Sequence, residues 1–364
     1  MKILYICNIP SPYRVKYFEQ LGEQADLTVA FERSMSSERD SSWRKYDFRH
    51  FRGMIGRGLN YKYDSALSMA PLRILKKEKF DWVIIGNALS LSGFLEIRYL
   101  KRKKMDYWIE GDGAFIAQEE KTHKSALKRF LLTGAKGYFS TCDNHDLYYK
   151  KYGVSEDRIF RYPFSSIEEK DVLTAPVSPE RKRELREKLG MAERYIVITV
   201  GSFIHRKGFD LLLQAAEQLE KEVGIYFVGG TAPEKWKKLP HTHFLPFQEW
   251  EQLKDYYDAA DVFAFPTRED IWGLVVNEAM SRGLPVITTA RCNAGLELIE
   301  NGKNGYIIPT EDVGELVQKI RKVLYEDDRE QMGVAALSRI RKYTIEEMVQ
   351  SHLEVYAAMH TPQC

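Results

Sequence analysis

Short apolar runs, each long enough for one buried strand, alternate with helical patterns from one end of the chain to the other. Strands that are apolar on both faces and separated by helices are typical of parallel sheets with right-handed crossovers. Two series of runs occur, and they predict an α/β protein with two doubly wound, Rossmann-like domains. The predicted strands are Lys2–Cys7, Leu27–Phe31, Phe80–Ile85, Tyr107–Glu110, Gly137–Cys142 and Ile159–Tyr162, followed by Tyr195–Val200, Ile225–Val228, His243–Phe247, Asp261–Phe265, Pro285–Thr289 and Tyr306–Pro309.

A polar stretch without strands separates the two series. Residues 166–193 are dominated by Lys, Arg and Glu, so we predict a linker with one exposed helix there. The predicted domains are then residues 1–165 and 194–342. This division agrees with the length of 364 residues, which is more than one hydrophobic core usually accommodates. Thr344 and Glu347 have the spacing of a capping box, which predicts a final helix within residues 343–364.

The lengths of the apolar runs bear on where in the cell the protein is located. No apolar run approaches the roughly 20 residues that span a bilayer, and Ile3–Cys7 is too short for the core of a signal peptide. We therefore expect a cytoplasmic protein. The four cysteines are far apart in the sequence and form no CxxC pair, so we expect reduced, mostly buried thiols at Cys7, Cys142, Cys292 and Cys364.

Charge is distributed unevenly along the chain. Residues 1–170 contain 30 Lys and Arg against 22 Asp and Glu, whereas residues 171–364 contain 24 against 30. A basic first half indicates contact with an anionic surface or substrate, but solvated helix faces give the same count. Lys101–Lys104 and the amphipathic segment Lys121–Leu132 favour a peripheral contact with anionic lipid at the inner membrane face, and a helix packed on a sheet is the alternative. We predict no nucleic-acid partner.

The first segment that carries chemistry is Val200–Gly208. A predicted strand ends at Gly201, which lets the backbone approach a ligand closely. Arg206 and Lys207 follow, just before a helix, where they could neutralise a diphosphate and stabilise it as a leaving group. A basic turn without a ligand is the alternative.

The second segment is Phe265–Met280, in which a strand gives way to an acidic loop, a glycine and a helix. Gly273 and Leu274 would present amides of the helix N-terminus to a phosphate. Glu278 lies among apolar helical residues and needs a partner, which the hydroxyls of a ribose would supply. Glu269 and Asp270 could also form an ordinary acidic N-terminal cap.

In the first half, strand ends bring together two polar segments. Glu110 and Asp112 follow a strand, and Pro12, Tyr13 and Arg14 follow the first one. We predict that these residues contact an acceptor sugar, Tyr13 and Arg14 by stacking and hydrogen bonding. A simple turn at Glu110–Gly113 is the alternative.

Three motifs together resemble a known family. They are Thr267–Ile287, Val200–Gly208 with its Lys207-Gly208 pair, and Asn304–Tyr306, and they are similar to those of the retaining glycosyltransferases of family 4, also called group 1. The resemblance implies the GT-B fold, with two facing Rossmann-like domains. It places the donor in the C-terminal domain and the acceptor mostly in the N-terminal one, and it implies a final helix that crosses back to the first domain.

The resemblance also implies residue roles. In the family's pattern of two glutamates separated by seven residues, Glu278 holds the ribose and Asp270 lies near the sugar hydroxyls, with Glu269 as a possible substitute. Lys207 binds phosphate, and Ser202 stands where the family usually has an arginine. The remaining predicted donor-binding residues are Gly201, Ser202, Arg206, Phe247, Trp272, Gly273 and Leu274, and the predicted catalytic residues are Lys207, Asp270 and Glu269.

These features predict a retaining glycosyltransferase that moves a hexose from a nucleotide diphosphate sugar, with a UDP-sugar favoured, to a glycan or lipid-linked acceptor in surface polysaccharide synthesis. The sequence has no Asp-x-Asp motif and its histidines lack ligand-like spacing, so we predict neither a metal nor another cofactor. Two alternatives are a non-catalytic GT-B subunit that binds glycan or a partner transferase, which Ser202 and Asp270 leave open, and a sugar-nucleotide epimerase.

Overall fold

The computed structural model describes residues 1–34, 47–56, 59–60, 66–231, 233–236 and 239–360. The chain forms two compact units, one of Met1–Phe164 with Ile345–Cys364 and the other of Ser165–Thr344. Residues 166–193, predicted as a linker with one exposed helix, are grouped with the second unit. They contain a helix that Arg186 anchors by its ion pair with Asp261, at 2.7 Å.

The first unit is built on a seven-stranded parallel sheet in the order β3-β2-β1-β6-β7-β8-β9. Its strands are β1 (Lys2–Cys7), β2 (Asp26–Phe31), β3 (Arg52–Ile55), β6 (Trp82–Ile85), β7 (Trp108–Glu110), β8 (Gly137–Ser140) and β9 (Ile159–Arg161), with a separate antiparallel pair of β4 (Leu59–Asn60) and β5 (Ala66–Leu67). Its helices are α1 (Pro12–Gly22), α2 (Ala70–Lys77), α3 (Leu91–Lys103), α4 (Thr122–Leu132), α5 (Asp143–Lys151) and, from the end of the chain, α13 (Ile345–His360). Strands β1 and β6 are almost completely buried, as their apolar sequences predict.

The second unit has a six-stranded parallel sheet in the order β12-β11-β10-β13-β14-β15. Its strands are β10 (Tyr195–Val200), β11 (Val223–Val228), β12 (Thr242–Leu245), β13 (Val262–Phe265), β14 (Val286–Thr289) and β15 (Gly305–Ile308). Its helices are α6 (Pro179–Leu189), α7 (Phe209–Ala216), α8 (Trp250–Ala259), α9 (Leu274–Ser281), α10 (Asn293–Leu298), α11 (Val313–Tyr325) and α12 (Arg329–Ile340).

All twelve predicted strands occur, with ends shifted by up to two residues. The short strands β3, β4 and β5 were not predicted, because none of them has a continuous apolar run. Cys7, Cys142 and Cys292 are buried thiols, as predicted, whereas Cys364 lies outside the described residues.

Two carboxyl groups are buried together in the first unit. Glu32, which follows β2, accepts hydrogen bonds from Asn87 Nδ2 at 2.7 Å and Ser90 Oγ at 3.2 Å. Neither carboxyl oxygen of Glu96, on α3, has a hydrogen-bond partner among the residues that the structure describes. Burial raises the pKa of Glu32 to about 7 against the lowering effect of these hydrogen bonds, and burial followed by repulsion from Glu32 raises the pKa of Glu96 well above its usual range.

We predict that the stability of Glu32→Gln relative to the wild type is greater at pH 8 than at pH 5. A carboxyl whose pKa is raised in the folded state contributes stability below its unfolded pKa, and this contribution is lost as the pH rises through about 7. A shift of this size corresponds to about 3 kcal/mol. Melting temperatures of both proteins at the two pH values test this. Equal pH dependence of wild type and variant would show that Glu32 does not titrate in this range.

Candidate active site

The strand order of the second unit reverses between β10 and β13, and a ligand is expected beyond the carboxyl ends of these two strands. Gly201 and Gly208 lie beyond the end of β10, and both have positive φ. A Cβ at Gly208 would lie 1.9 Å from the carbonyl oxygen of Pro266, so the segment after β10 can approach the end of β13 only with glycine at this position. This close approach brings the two predicted segments together.

Lys207 and Asp270 form the centre of the site. The Nζ atom of Lys207 lies 2.5 Å from Asp270 Oδ2 and 4.9 Å from the centre of the Phe265 ring. Arg206 lies 3.5 Å from the same carboxylate oxygen and donates a hydrogen bond to the Glu269 carbonyl at 2.8 Å. The structure therefore brings together the two cations and the carboxylate that the sequence singled out.

The neighbouring carboxylate of Glu269 points elsewhere. It pairs with Arg291, and its side chain is 45% exposed, whereas that of Asp270 is 11% exposed. The backbone of Asp270 is fixed by an N–H bond to the Arg291 carbonyl at 2.8 Å. Of the two candidates, Asp270 is thus the one that faces the lysine.

Helix α9 begins beside this cluster. Gly273 precedes it with φ of 103°, and no side-chain hydrogen bond caps the helix. The first amides of such a helix end are available to an anion, and the helix dipole favours negative charge there. A Cβ at Gly273 would lie 2.7 Å from Cys292 Sγ, so both the backbone conformation and the space require glycine.

We predict that Gly273→Ala destabilises the second unit by about 1–3 kcal/mol, because alanine is strained at this φ and clashes with the buried thiol. The double variant Gly273→Ala/Cys292→Ala should recover the part that is due to the clash. Urea unfolding of the two variants measures both parts. A single variant as stable as the wild type would contradict the geometry described for this turn.

Glu278 lies half-buried on α9 and accepts a hydrogen bond from the hydroxyl of Tyr257 at 3.1 Å. Tyr257 is fully buried on α8. Sequence reasoning missed Tyr257, because a tyrosine four residues after Leu253 is typical of a core-facing helix side. Tyr257 fixes the Glu278 carboxylate, which has further acceptor capacity for a ligand.

The other predicted donor residues differ in accessibility. Trp272 is 2% exposed and its Nε1 donates to Asn277 Oδ1 at 2.9 Å, so its ring belongs to the core. Phe247, after β12, is 41% exposed, and Ser202 is exposed after β10. The donor-binding roles of all three residues remain predictions.

In the first unit, Arg14 links the predicted acceptor residues. Its Nη1 donates to Glu110 Oε1 at 2.5 Å, its Nη2 pairs with Asp112 Oδ1, and the Tyr13 hydroxyl donates to Asp112 Oδ2 at 3.2 Å. The side chain of Asp112 is 31% exposed. Pro12 begins α1 and is exposed.

Glu110 is buried in the first unit, and its contact with an acceptor stays a prediction. Its side chain is 0% exposed, and its two oxygens accept from Arg14 and from His352 Nε2, the latter at 3.1 Å. Burial acts to raise the pKa of Glu110, but the nearby charges of Arg14 and His352 outweigh it and lower the pKa to about 2. Glu110 is therefore an ionised, internal partner of Arg14.

Comparison with known proteins identifies the family of the segment that contains the Lys207 and Asp270 cluster. Residues 181–339, which include Lys207, Asp270 and Glu278, match the family model described as glycosyl transferases group 1. These residues belong to the group 1 glycosyltransferase family. The family predicted from the motifs is thus confirmed.

Curated relatives of this group 1 region cover only part of the chain. D-inositol 3-phosphate glycosyltransferase of Xylanimonas cellulosilytica is 30% identical over 223 residues, which are 57% of this chain and 52% of the relative. Sulfoquinovosyl transferase SQD2 of Arabidopsis thaliana is 35% identical over 173 residues, 45% of this chain and 34% of the relative. The chain thus spans about half or less of the length of these relatives.

Solved structures match the whole chain. Sucrose-phosphate synthase from Thermosynechococcus elongatus superposes with a TM-score of 0.78 at 17% identity, covering 99% of both chains. Anabaena HepE, solved in complex with UDP-glucose, gives a TM-score of 0.76 at 15% identity, covering 98% of this chain and 100% of HepE. These likenesses confirm the GT-B fold. Within the described ranges, no helix is long and apolar enough to cross a bilayer.

Proposed function

We propose that the protein is a retaining glycosyltransferase that moves a hexose from a nucleotide diphosphate sugar, with a UDP-sugar favoured, to a glycan or lipid-linked acceptor in surface polysaccharide synthesis. The observation that carries this proposal is the grouping of Lys207, Arg206 and Asp270, at the ends of β10 and β13 in the group 1 region. The complex of HepE with UDP-glucose supports the choice of nucleotide.

In this proposal the donor diphosphate takes the position of a counter-anion for Lys207 and Arg206. The bond between the anomeric carbon and the β-phosphate oxygen breaks, and the two cations and the first amides of α9 stabilise the negative charge that develops on the diphosphate. The acceptor oxygen bonds to the same face of the anomeric carbon, and its proton passes to the leaving phosphate oxygen. Glu278, oriented by Tyr257, accepts from the ribose hydroxyls.

Asp270 has two roles in this proposal. Without a donor it neutralises Lys207, at 2.5 Å. When the diphosphate engages Lys207, the carboxylate becomes available to accept hydrogen bonds from the sugar hydroxyls. Loss of donor affinity in Asp270→Asn that exceeds the loss in Glu269→Gln would support this assignment, and the reverse order would assign the sugar to Glu269.

On the acceptor side, Asp112 and Tyr13 are the accessible groups that we propose contact the acceptor hydroxyls. Arg14 holds Asp112 in place from the buried side, where its own side chain is 8% exposed. Glu110 supports Arg14 and does not reach a ligand. The proposal thus assigns contact to two of the five predicted acceptor residues and support to two others.

We propose that the reaction needs no metal, because Lys207, Arg206 and the start of α9 supply the positive charge that a divalent ion would otherwise provide. The expected result is that millimolar EDTA leaves the rate of donor turnover unchanged within about twofold, and that added Mg²⁺ or Mn²⁺ does not raise it. A loss of activity in EDTA that Mn²⁺ restores would contradict this expectation.

We also propose a cytoplasmic protein that binds peripherally to an anionic membrane through α4. Leu127 and Phe130 are 48% and 42% exposed on this helix, and Lys124 and Arg129 beside them are exposed as well. Apolar side chains flanked by cations suit the interface of an anionic bilayer. Cosedimentation with vesicles containing phosphatidylglycerol, but not with pure phosphatidylcholine vesicles, supports this. Equal binding by Leu127→Ser/Phe130→Ser would rule out α4.

The proposed function is tested by incubating the protein with UDP-, GDP- and ADP-hexoses and measuring release of the nucleoside diphosphate, with and without octyl glycosides as acceptors. Release with one nucleotide class, and retained anomeric configuration in the product, supports the proposal. No release with any donor, together with binding of glycan, would favour the non-catalytic alternative. Epimerised donor without transfer would favour an epimerase.

A further inference from the structure

Four ionisable side chains form a continuous network in the first unit. His352 on α13 contacts Glu110 at the end of β7, Glu110 contacts Arg14 on α1, and Arg14 contacts Asp112. The exposed fraction of the side chain rises from His352 to Asp112 along this series of contacts. The side chains of His352 and Glu110 are 0% exposed, that of Arg14 is 8% exposed and that of Asp112 is 31% exposed.

Both ring nitrogens of His352 face groups that only accept hydrogen bonds. Nδ1 lies 2.7 Å from the carbonyl oxygen of Met348, and Nε2 lies 3.1 Å from the ionised carboxylate of Glu110. Because an ionised carboxylate only accepts hydrogen bonds, Nε2 is the donor in the contact with Glu110. The ring therefore joins the backbone of α13 to the carboxylate that holds Arg14.

Aromatic rings fix the position of the His352 ring. The ring centres of Phe139, Tyr162 and Tyr17 lie 4.3, 4.8 and 5.3 Å from that of His352. His352 therefore presents its Nε2 proton to Glu110 in one orientation. Glu110 in turn fixes Arg14, whose planar guanidinium has a second nitrogen directed at Asp112.

We infer that His352 is a positioning residue for the acceptor carboxylate Asp112, and that it acts through Glu110 and Arg14. This inference rests on the proposed function, because it takes Asp112 as a contact of the acceptor. The end of the chain thereby controls the use of the acceptor without touching it. Neither charge nor spacing in the sequence indicates this link, since Asp112 and His352 are 240 residues apart.

The test compares His352→Phe with His352→Gln. Phenylalanine keeps the ring packing and removes both ring nitrogens, whereas the glutamine amide can still donate to Glu110. We expect His352→Phe to lower kcat/KM for the acceptor by roughly 10- to 100-fold, as a misplaced contact does, and His352→Gln to recover most of this loss. The acceptor is the octyl glycoside to which the wild type transfers fastest.

Two controls separate positioning from general stability. The affinity for UDP, measured by calorimetry, should not change in His352→Phe, because the proposed donor residues belong to the other unit. In a double-mutant cycle, His352→Phe should lower the acceptor kcat/KM little further when Asp112→Asn is already present, since both act on one group. Additive losses, or equal acceptor kcat/KM in wild type and His352→Phe, would overturn the inference.

A second variant covers the case in which His352→Phe does not fold. Arg14→Lys keeps the positive charge, but an ammonium group lacks the planar set of donors that binds Glu110 and Asp112 together. This variant should therefore show the same selective loss of kcat/KM for the acceptor. An unchanged acceptor kcat/KM in Arg14→Lys would also overturn the inference. If the wild type itself turns over no donor, the proposed function fails instead, and the two failures are distinguishable.

Discussion

Replacing Lys207 with alanine is expected to lower the rate of donor turnover by roughly 10²- to 10³-fold, the usual cost of removing one group that stabilises charge in the transition state. The Nζ atom is 2.5 Å from Asp270, and its side chain is 15% exposed, so its charge acts where water screens it little. The loss should fall mainly on kcat, because the diphosphate gains negative charge as the sugar departs.

Lys188→Ala is a matched control in the same unit. Lys188 also pairs with an aspartate, Asp255 at 2.7 Å, but its side chain is 65% exposed. Donor turnover by this variant should equal that of the wild type. The measurement is release of the nucleoside diphosphate at saturating donor. Equal rates for Lys207→Ala and Lys188→Ala would remove Lys207 from the reaction.

Replacing Arg14 with methionine is expected to reduce the free energy of unfolding of the first unit by about 3–5 kcal/mol. The substitution removes the cation that pairs with Glu110 and leaves the contact with His352, in a position where the side chain of Glu110 is 0% exposed. When one member of a buried ion pair is removed, the other charge stays buried without a partner or solvent, and this strongly destabilises the folded state. Methionine keeps a side chain of similar length, so the cavity contributes little.

Arg161→Met is the control for this second prediction. Arg161 pairs with Asp143 and Asp146, but its side chain is 47% exposed, and surface pairs of this kind contribute about 0–1 kcal/mol. Urea unfolding followed by circular dichroism measures both variants, with the comparison restricted to the transition of the first unit. Similar midpoints for the two variants would show that the buried network does not stabilise this unit.

The fold was largely predictable from the sequence, because the strands of a parallel sheet are buried on both faces and appear in the sequence as continuous apolar runs. The strands Lys2–Cys7 and Tyr195–Val200 have the predicted bounds. The segment predicted as a linker contains the one exposed helix that was expected there, α6, which is anchored by one buried leucine and a few ion pairs. Composition alone does not distinguish such a helix from a solvated segment.

The candidate site was predictable where neighbouring strand ends carry it. Lys207 and Asp270 follow β10 and β13, whose carboxyl ends adjoin in the sheet. The direction in which a side chain points could not be predicted, because the sequence does not record it. Trp272 turns into the core and Glu110 turns towards α13, and no local pattern links Glu110 to His352.

Calorimetric titration with UDP, GDP and ADP tests the central claim, that the second unit holds a nucleotide diphosphate through Lys207. We expect binding of one of these nucleotides, with UDP favoured, and a loss of at least about tenfold in affinity for Lys207→Ala but not for Lys188→Ala, in line with a charge-assisted contact. No binding of any of the three at millimolar concentration, or equal affinity in wild type and Lys207→Ala, would contradict it.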